Sequence, residues 1–146
     1  MGNLLSAVTC FGYVGPCCDR IYTVAIAMNK NWMMFSVPGR AVPAVRMTQR
    51  SKFCSDRAQE YLQYKAYVGL VAKTCGLRPL LGDVSLVARF YFRGQVFGDI
   101  DNLLKSLMDG LNGISWHDDK QVVSVSAERG MSYDERVEVE INYKDV

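Results

Sequence analysis

Histidine occurs once in this chain, at His117, and no C-x-x-C spacing repeats. A structural zinc site needs four thiolate or imidazole ligands at close spacing, so that class is disfavoured. The five cysteines are odd in number and scattered, which argues against a secreted disulfide framework and fits a reducing cytoplasm. Cys10, Cys17 and Cys18 lie early in the chain, while Cys54 and Cys75 flank a helical stretch and read as core or surface thiols rather than nucleophiles. No apolar run reaches membrane length: the stretch Val24-Ala25-Ile26-Ala27-Met28 is too short, so no membrane partner is expected. The N-terminal stretch lacks the basic residues of a secretory signal. Repeats, linkers and low-complexity tracts are also missing. A net charge of only +2 gives no strong global attraction to nucleic acid.

What is present is enough for one packed domain: 146 residues, about half of them apolar at 49%, with moderate charge at 22%. Charge is informative locally. From Arg40 to Arg57 the chain carries Arg40, Arg46, Arg50, Lys52 and Arg57 against the single acid Asp56. Such a stretch is commonly a solvated basic loop. It is also how phosphate-contacting proteins track a nucleic-acid backbone, and the acidic residues downstream favour that second reading for Arg46, Arg50, Lys52 and Arg57.

Hydrophobic periodicity outlines the elements. Residues 34–37 read as a strand, broken by Gly39 and Pro43 ahead of a second strand at 44–47. A helix begins at Ser55 and ends near Gly76, with Pro79 beyond. Its apolar stripe is Tyr61, Tyr64, Val68, Val71, Ala72 and Cys75, with Gln59, Gln63 and Lys73 turned away. Tyrosines on that helix suit core packing better than stacking on unpaired bases. Residues 83–92 are rich in β-branched and aromatic types and read as a strand, as do 121–126. In 136–143, Val137, Val139, Ile141 and Tyr143 alternate with Arg136, Glu138 and Glu140, as in a half-buried strand. The order β-β-α-β-α-β-β predicts a single α+β domain with a small mixed β-sheet and two helices.

The chemistry concentrates around the second helix. Asp99-Ile100-Asp101-Asn102 precedes it and Asp118-Asp119 follows it. Stepping about 100° per residue puts Ile100, Leu103, Leu104, Leu107, Met108 and Leu111 on an apolar stripe, and Asp101, Lys105, Asp109 and Asn112 on an adjoining polar strip. Asn112-Gly113 is a helix stop. Taken singly, an Asp before a helix is most often an N-cap, and Asp-Asp before a strand a solvated turn. Together with Lys105, the carboxylates suggest a hard-oxygen site for Mg²⁺ acting on phosphate, if the helix–turn–strand return carries Asp119 back beside Asp101. His117 adjoins the acidic pair, where a general base is conceivable; an incidental loop residue is the plainer reading.

Read whole, the stretch 99–122 resembles the RusA family of Holliday junction resolvases. Its pattern of D-x-D-N, a Lys four residues on, D-x-L-N-G and D-D-x-Q-V is met by Asp99-Ile100-Asp101-Asn102, Lys105, Asp109-Gly110-Leu111-Asn112-Gly113 and Asp118-Asp119-Lys120-Gln121-Val122. A looser similarity covers 35–65. The resemblance implies a RusA-like endonuclease domain over 33–146. It implies catalysis by Asp99, Asp101, Lys105 and Asp119, with metal held by Asp99, Asp101 and Asp119, helped by Asp118. Asp109 and Asn112 would serve as supporting residues. It further implies Mg²⁺ (or Mn²⁺ in its place) and no organic cofactor. The implied substrate is branched DNA such as four-way junctions, cut by a homodimer in the cytoplasm from a phage or prophage gene. Two rivals keep the same residues: a DNA-binding protein without catalysis, and a glycosyltransferase using D-x-D for a metal–nucleotide-sugar. The second has little room at this length and leaves Asp118-Asp119 unexplained.

Residues 1–32 match nothing in that pattern. Met1-Gly2-Asn3-Leu4-Leu5-Ser6 fits the short N-myristoylation motif, which is often met by chance. The expectation is that translation begins at Met33 or Met34 and that 1–32 is an extension without function.

Overall fold

The computed structural model describes residues 27–29, 31–96 and 98–144. The elements run β1 (Ala27–Asn29), β2 (Trp32–Pro38), α1 (Ser51–Cys54), α2 (Asp56–Thr74), β3 (Val84–Phe92), α3 (Ile100–Leu111), a 3-10 turn (Asp119–Gln121), β4 (Val122–Met131) and β5 (Arg136–Tyr143). The strands form one sheet in the order β1-β2-β5-β3-β4. Neighbours are antiparallel except β3 and β4, which are parallel. A parallel pair needs a crossover, and α3 supplies it.

The sheet buries one face. Met33, Phe35 and Val37 of β2, Val84, Leu86, Ala88, Phe90 and Phe92 of β3, and Val137, Val139 and Ile141 of β5 are buried at every second position. Tyr61, Tyr64, Val68, Val71 and Ala72 of α2, Cys75 at its C-cap, and Leu103, Leu107 and Leu111 of α3 are buried too, and most of these residues share one core. The other face carries ion pairs: Arg89 with Glu128 (3.8 Å) and Glu140 (3.6 Å), and Arg136 with Glu138 (2.9 Å) while stacked over the Tyr91 ring at 4.2 Å. The domain is therefore two layers, helices over one side of a mixed sheet, as α+β patterning predicts.

Helices α2 and α3 touch closely because each is glycine at the crossing. A Cβ on Gly110 would come within 2.8 Å of the Val68 side chain, and one on Gly69 within 2.8 Å of Ile114 Cδ1. The Tyr61 hydroxyl donates to Asp109, and Val68 meets Gly110, so numbering rises the same way along both helices where they meet. Their N-terminal ends thus lie toward the same end of the molecule.

Three element assignments differ from the sequence reading. Residues 44–47 are not a strand: both edges of β2 are taken, by β5 and by β1. The segment runs without regular structure and is tied to α3 by Ala44 N donating to Asn102 O at 2.9 Å. The opening hairpin is instead β1 with β2, so Ala27–Asn29 and Trp32, placed by sequence in the unmatched extension, pair within the sheet. A one-turn helix, α1, precedes α2. The remaining expectations for 1–32, including the myristoylation motif, fall on positions 1–26, outside the described residues.

Candidate active site

Asp99 is the residue before α3, extended at φ −82° and ψ 152°. Its backbone carbonyl accepts from Leu103 N at 3.0 Å, but its carboxylate makes no capping bond. The commonest use of an Asp here is therefore not made, and the charge remains available at the positive end of the helix. Asp101 is exposed in the first turn and Lys105 exposed one turn on, so both project from one polar strip. Asp109, next along the strip, is held by the Tyr61 hydroxyl. Burial, then the hydrogen bond and charge of Asp109, push the Tyr61 phenol well above its usual range, so it stays a donor. Asn112 ends the helix, and Gly113 turns the chain at φ +77°.

The loop that delivers Asp99 is pinned from several sides. Gly98 sits at φ +95°, where a Cβ would meet Pro43 at 2.8 Å, so this approach requires glycine. Gly98 O accepts from Arg129 Nη1 at 3.3 Å. Arg40 donates to Gln95 O at 2.8 Å and to Glu135 Oε1 at 3.0 Å, and that same oxygen accepts from Arg93 N at 3.1 Å. Arg40 also lies 5.6 Å from the Phe92 ring centre. Glu135 thereby ties Arg40 to the chain at Arg93, just past the end of β3.

Asp118 and Asp119 behave differently from each other. The Asp118 carboxylate accepts from Lys120 N at 3.0 Å, and the Gln121 side chain accepts from Asp118 N at 3.1 Å and His117 N at 2.7 Å. That is a capping box, with Gln121 Nε2 further donating to Leu80 O (2.9 Å) and Gly82 O (3.0 Å). Asp118 has a structural task. Asp119 is half-buried, and its Oδ1 accepts from Nε1 of the fully buried Trp116 at 2.9 Å. One carboxylate oxygen is thus fixed in direction, and among the described residues the other accepts no hydrogen bond. His117 is exposed.

The expected juxtaposition of Asp119 with Asp101 does not form within one chain. Strand β3 delivers Asp99 and Asp101 at its C-terminal end, and Asp119 lies at the start of β4, beside the start of β3. Trp116 O accepts from Gly113 N at 2.8 Å, which holds this turn at the C-terminal end of α3. From Asp101 to Leu111 the helix axis alone spans about 15 Å. Among the described residues no three His, Cys, Asp or Glu side chains lie close enough to share a metal ion. Taken in parts, the donors still fit a hard cation. Asp99 and Asp101 are neighbouring uncapped carboxylates, and Mg²⁺ is commonly held by one or two carboxylates plus substrate phosphate.

Arg46, Arg50, Lys52 and Arg57 are all exposed. Arg46 and Arg50 lie in the segment tied to α3 at Asn102, Lys52 in α1 and Arg57 in the first turn of α2. Sequence reasoning missed Trp116 and Tyr61 as partners of acidic residues, and the Arg40–Glu135 ion pair. For Trp116 the signal was present, an indole three residues before Asp119.

The one-sided α+β domain thus carries Asp99, Asp101 and Lys105 exposed along the N-terminal part of α3. The chain belongs to the RusA family: the family model for endodeoxyribonuclease RusA matches residues 38–142, most of its length. That family comprises nucleases that act on Holliday junctions. No curated protein matches the chain. Among solved structures, the periplasmic domain of Helicobacter pylori MotB (residues 90–256) is similar over 84% of this chain and 80% of that chain, at 11% identity and a TM-score of 0.43. A likeness at that level carries no argument. No helix among the described residues is long and apolar enough to cross a membrane.

Proposed function

We propose that this chain is a Mg²⁺-dependent resolvase that cuts four-way DNA junctions as a homodimer, each active site drawing on two copies. The observation that carries the reading is the Asp99 carboxylate, at a helix N-cap yet uncommitted to capping, beside Asp101 and Lys105 within the family's matched span. Asp99 and Asp101 of one copy would hold the cation, with Asp119 supplied by the second copy. Asp118, occupied by its capping box, supports the turn that presents Asp119. Mg²⁺ when bound supplies charge that offsets the phosphoryl oxygens and turns water into a nucleophile near neutral pH. Lys105 neutralises charge developing on the scissile phosphate. Arg46, Arg50, Lys52 and Arg57 follow the DNA backbone toward the site. Two such sites in a symmetric dimer match the paired strands of a symmetric junction and leave paired nicks with 5′-phosphate ends. A cytoplasmic setting and a phage or prophage gene belong to the same reading.

The experiment is cleavage of a labelled mobile four-way junction against linear duplex, with Mg²⁺, with Mn²⁺ and with EDTA. Paired, cation-dependent cuts on the junction alone are expected. Junction binding without cuts under any cation leaves a non-catalytic DNA-binding protein. Asp101→Asn should bind junctions and not cut them; Lys105→Ala should lose turnover with cation affinity kept.

A further inference from the structure

Phe53 is 76% exposed on α1, a position with no packing reason for an aromatic ring. Single exposed apolar residues are common and mean little alone. Two further observations set this one apart.

The first is its anchorage and company. The one-turn helix that presents Phe53 is fastened at Lys52, whose N donates to Thr48 O at 3.1 Å and whose O accepts from Gln59 Nε2 of α2 at 2.6 Å. Around the ring in sequence stand Arg50, Lys52 and Arg57, all exposed, none in an ion pair with another described residue. Protein–protein interface centres take aromatic rings and arginine but are depleted of lysine, which Lys52 places beside this ring. An exposed ring flanked in sequence by three cations, with Asp56 the one acid among them, instead complements a polyanion that carries flat apolar faces, which is a nucleic acid with accessible bases.

The second is place. Helices α2 and α3 run in the same sense at their crossing, so α1, at the N-terminal end of α2, lies toward the end of α3 that bears Asp99 and Asp101. The segment leading to α1 is held against that same end by Ala44 N to Asn102 O and by the close approach of Pro43 to Gly98. The ring and the carboxylates therefore share one end of the molecule.

We propose that Phe53 is a specificity-determining wedge: it stacks on a base left unpaired or unstacked at the branch point, with Arg50, Lys52 and Arg57 on the flanking phosphates. A continuous duplex offers no such base, so the ring favours branched over linear DNA. This rests on the reading of the chain as a nuclease of branched DNA.

The test is equilibrium binding with EDTA present, to a four-way junction bearing 2-aminopurine at the crossover and to linear duplex of the same sequence. Wild-type binding should change the 2-aminopurine fluorescence. Phe53→Ala should lose that change and bind the junction roughly 5- to 150-fold more weakly, with duplex affinity and melting temperature kept. Phe53→Trp should restore both signals, while Phe53→Leu, apolar but without a ring, should not. The slope of log affinity against log salt should stay the same in Phe53→Ala and fall in Arg57→Ala, since only the latter removes a phosphate partner. A Phe53→Ala protein that binds and perturbs the junction like wild type overturns the wedge while leaving the nuclease intact. Equal losses on junction and duplex, or a changed sedimentation coefficient, also overturn it by making Phe53 a general contact or a contact between copies. Wild type that neither binds nor cuts junctions overturns the functional reading and the wedge with it.

Discussion

Asp119 owes its direction to one bond, from an indole with no exposure to solvent. Trp116→Phe keeps most of the packing and removes the donor. If Asp119 holds metal as proposed, a partner that orients such a carboxylate typically matters by roughly 10–100-fold, so junction cleavage should fall by that much while the fold is retained, as near-unchanged circular dichroism would show. Full cleavage in this variant would mean that Asp119 needs no orienting. A second residue-scale consequence concerns Glu140, whose carboxyl is held below its ordinary value of 4.5 by hydrogen bonds from Trp32 and then Asn142, with Arg89 adding charge. A depressed folded value means that the ionised group stabilises the fold above pH 4.5, and that this contribution is lost as the pH falls through the lower folded value. Glu140→Gln should therefore be less stable than wild type at neutral pH and converge with it in acid. Trp32→Phe should move the same way, because it removes the largest cause. Denaturant melts at a series of pH values would check both, and parallel curves at all pH values would deny the coupling.

At the scale of elements, the α2–α3 crossing depends on having nothing at Gly110 beyond a hydrogen. Gly110→Ala would push a methyl into Val68 and the Lys65 carbonyl, at 2.8 and 3.0 Å. Overpacking of this kind costs about 1–3 kcal/mol, readable as a lower denaturation midpoint, and Val68→Ala in the same chain should recover part of it. If Gly110→Ala melts like wild type, the helices can separate without penalty. The same helices show what sequence patterning can reach. Every residue placed on the apolar stripe of α2 is buried, and the α3 stripe buries Leu103, Leu107 and Leu111, because 3.6-residue periodicity is a local property. The strand at 136–143 was legible for the same reason, by alternation. The segment 44–47 misled because its residues resemble a strand, whereas strand formation is decided by a free sheet edge. That edge had gone to 27–29, which carry no motif. Asp99 and Asp118 were indistinguishable as letters. Only geometry separates a carboxylate that caps a turn from one that does not.

At the scale of the molecule, the crossover connection is decisive. A β–α–β unit with parallel strands must return its second strand to the end where the first began, so residues just before β4 lie at the opposite end from residues just after β3. The motif spacing gives no hint of this, since proximity along the chain around a short helix invites the assumption of proximity in space. If Asp99, Asp101 and Asp119 serve one centre, that centre has to draw Asp119 from a second copy, and the consequence can be tested without a structure of the dimer. Asp101→Asn and Asp119→Asn should each be inactive alone. In a mixed dimer one site combines both defects and the other combines none. Mixing the two inactive proteins under conditions of subunit exchange should therefore restore nicking at about a quarter of the wild-type number of sites, given random pairing. The restored activity should be single-strand nicks rather than paired cuts, because each mixed dimer holds one intact site. Sites built within one chain would each keep their own defect, and the mixture would stay as inactive as its parts.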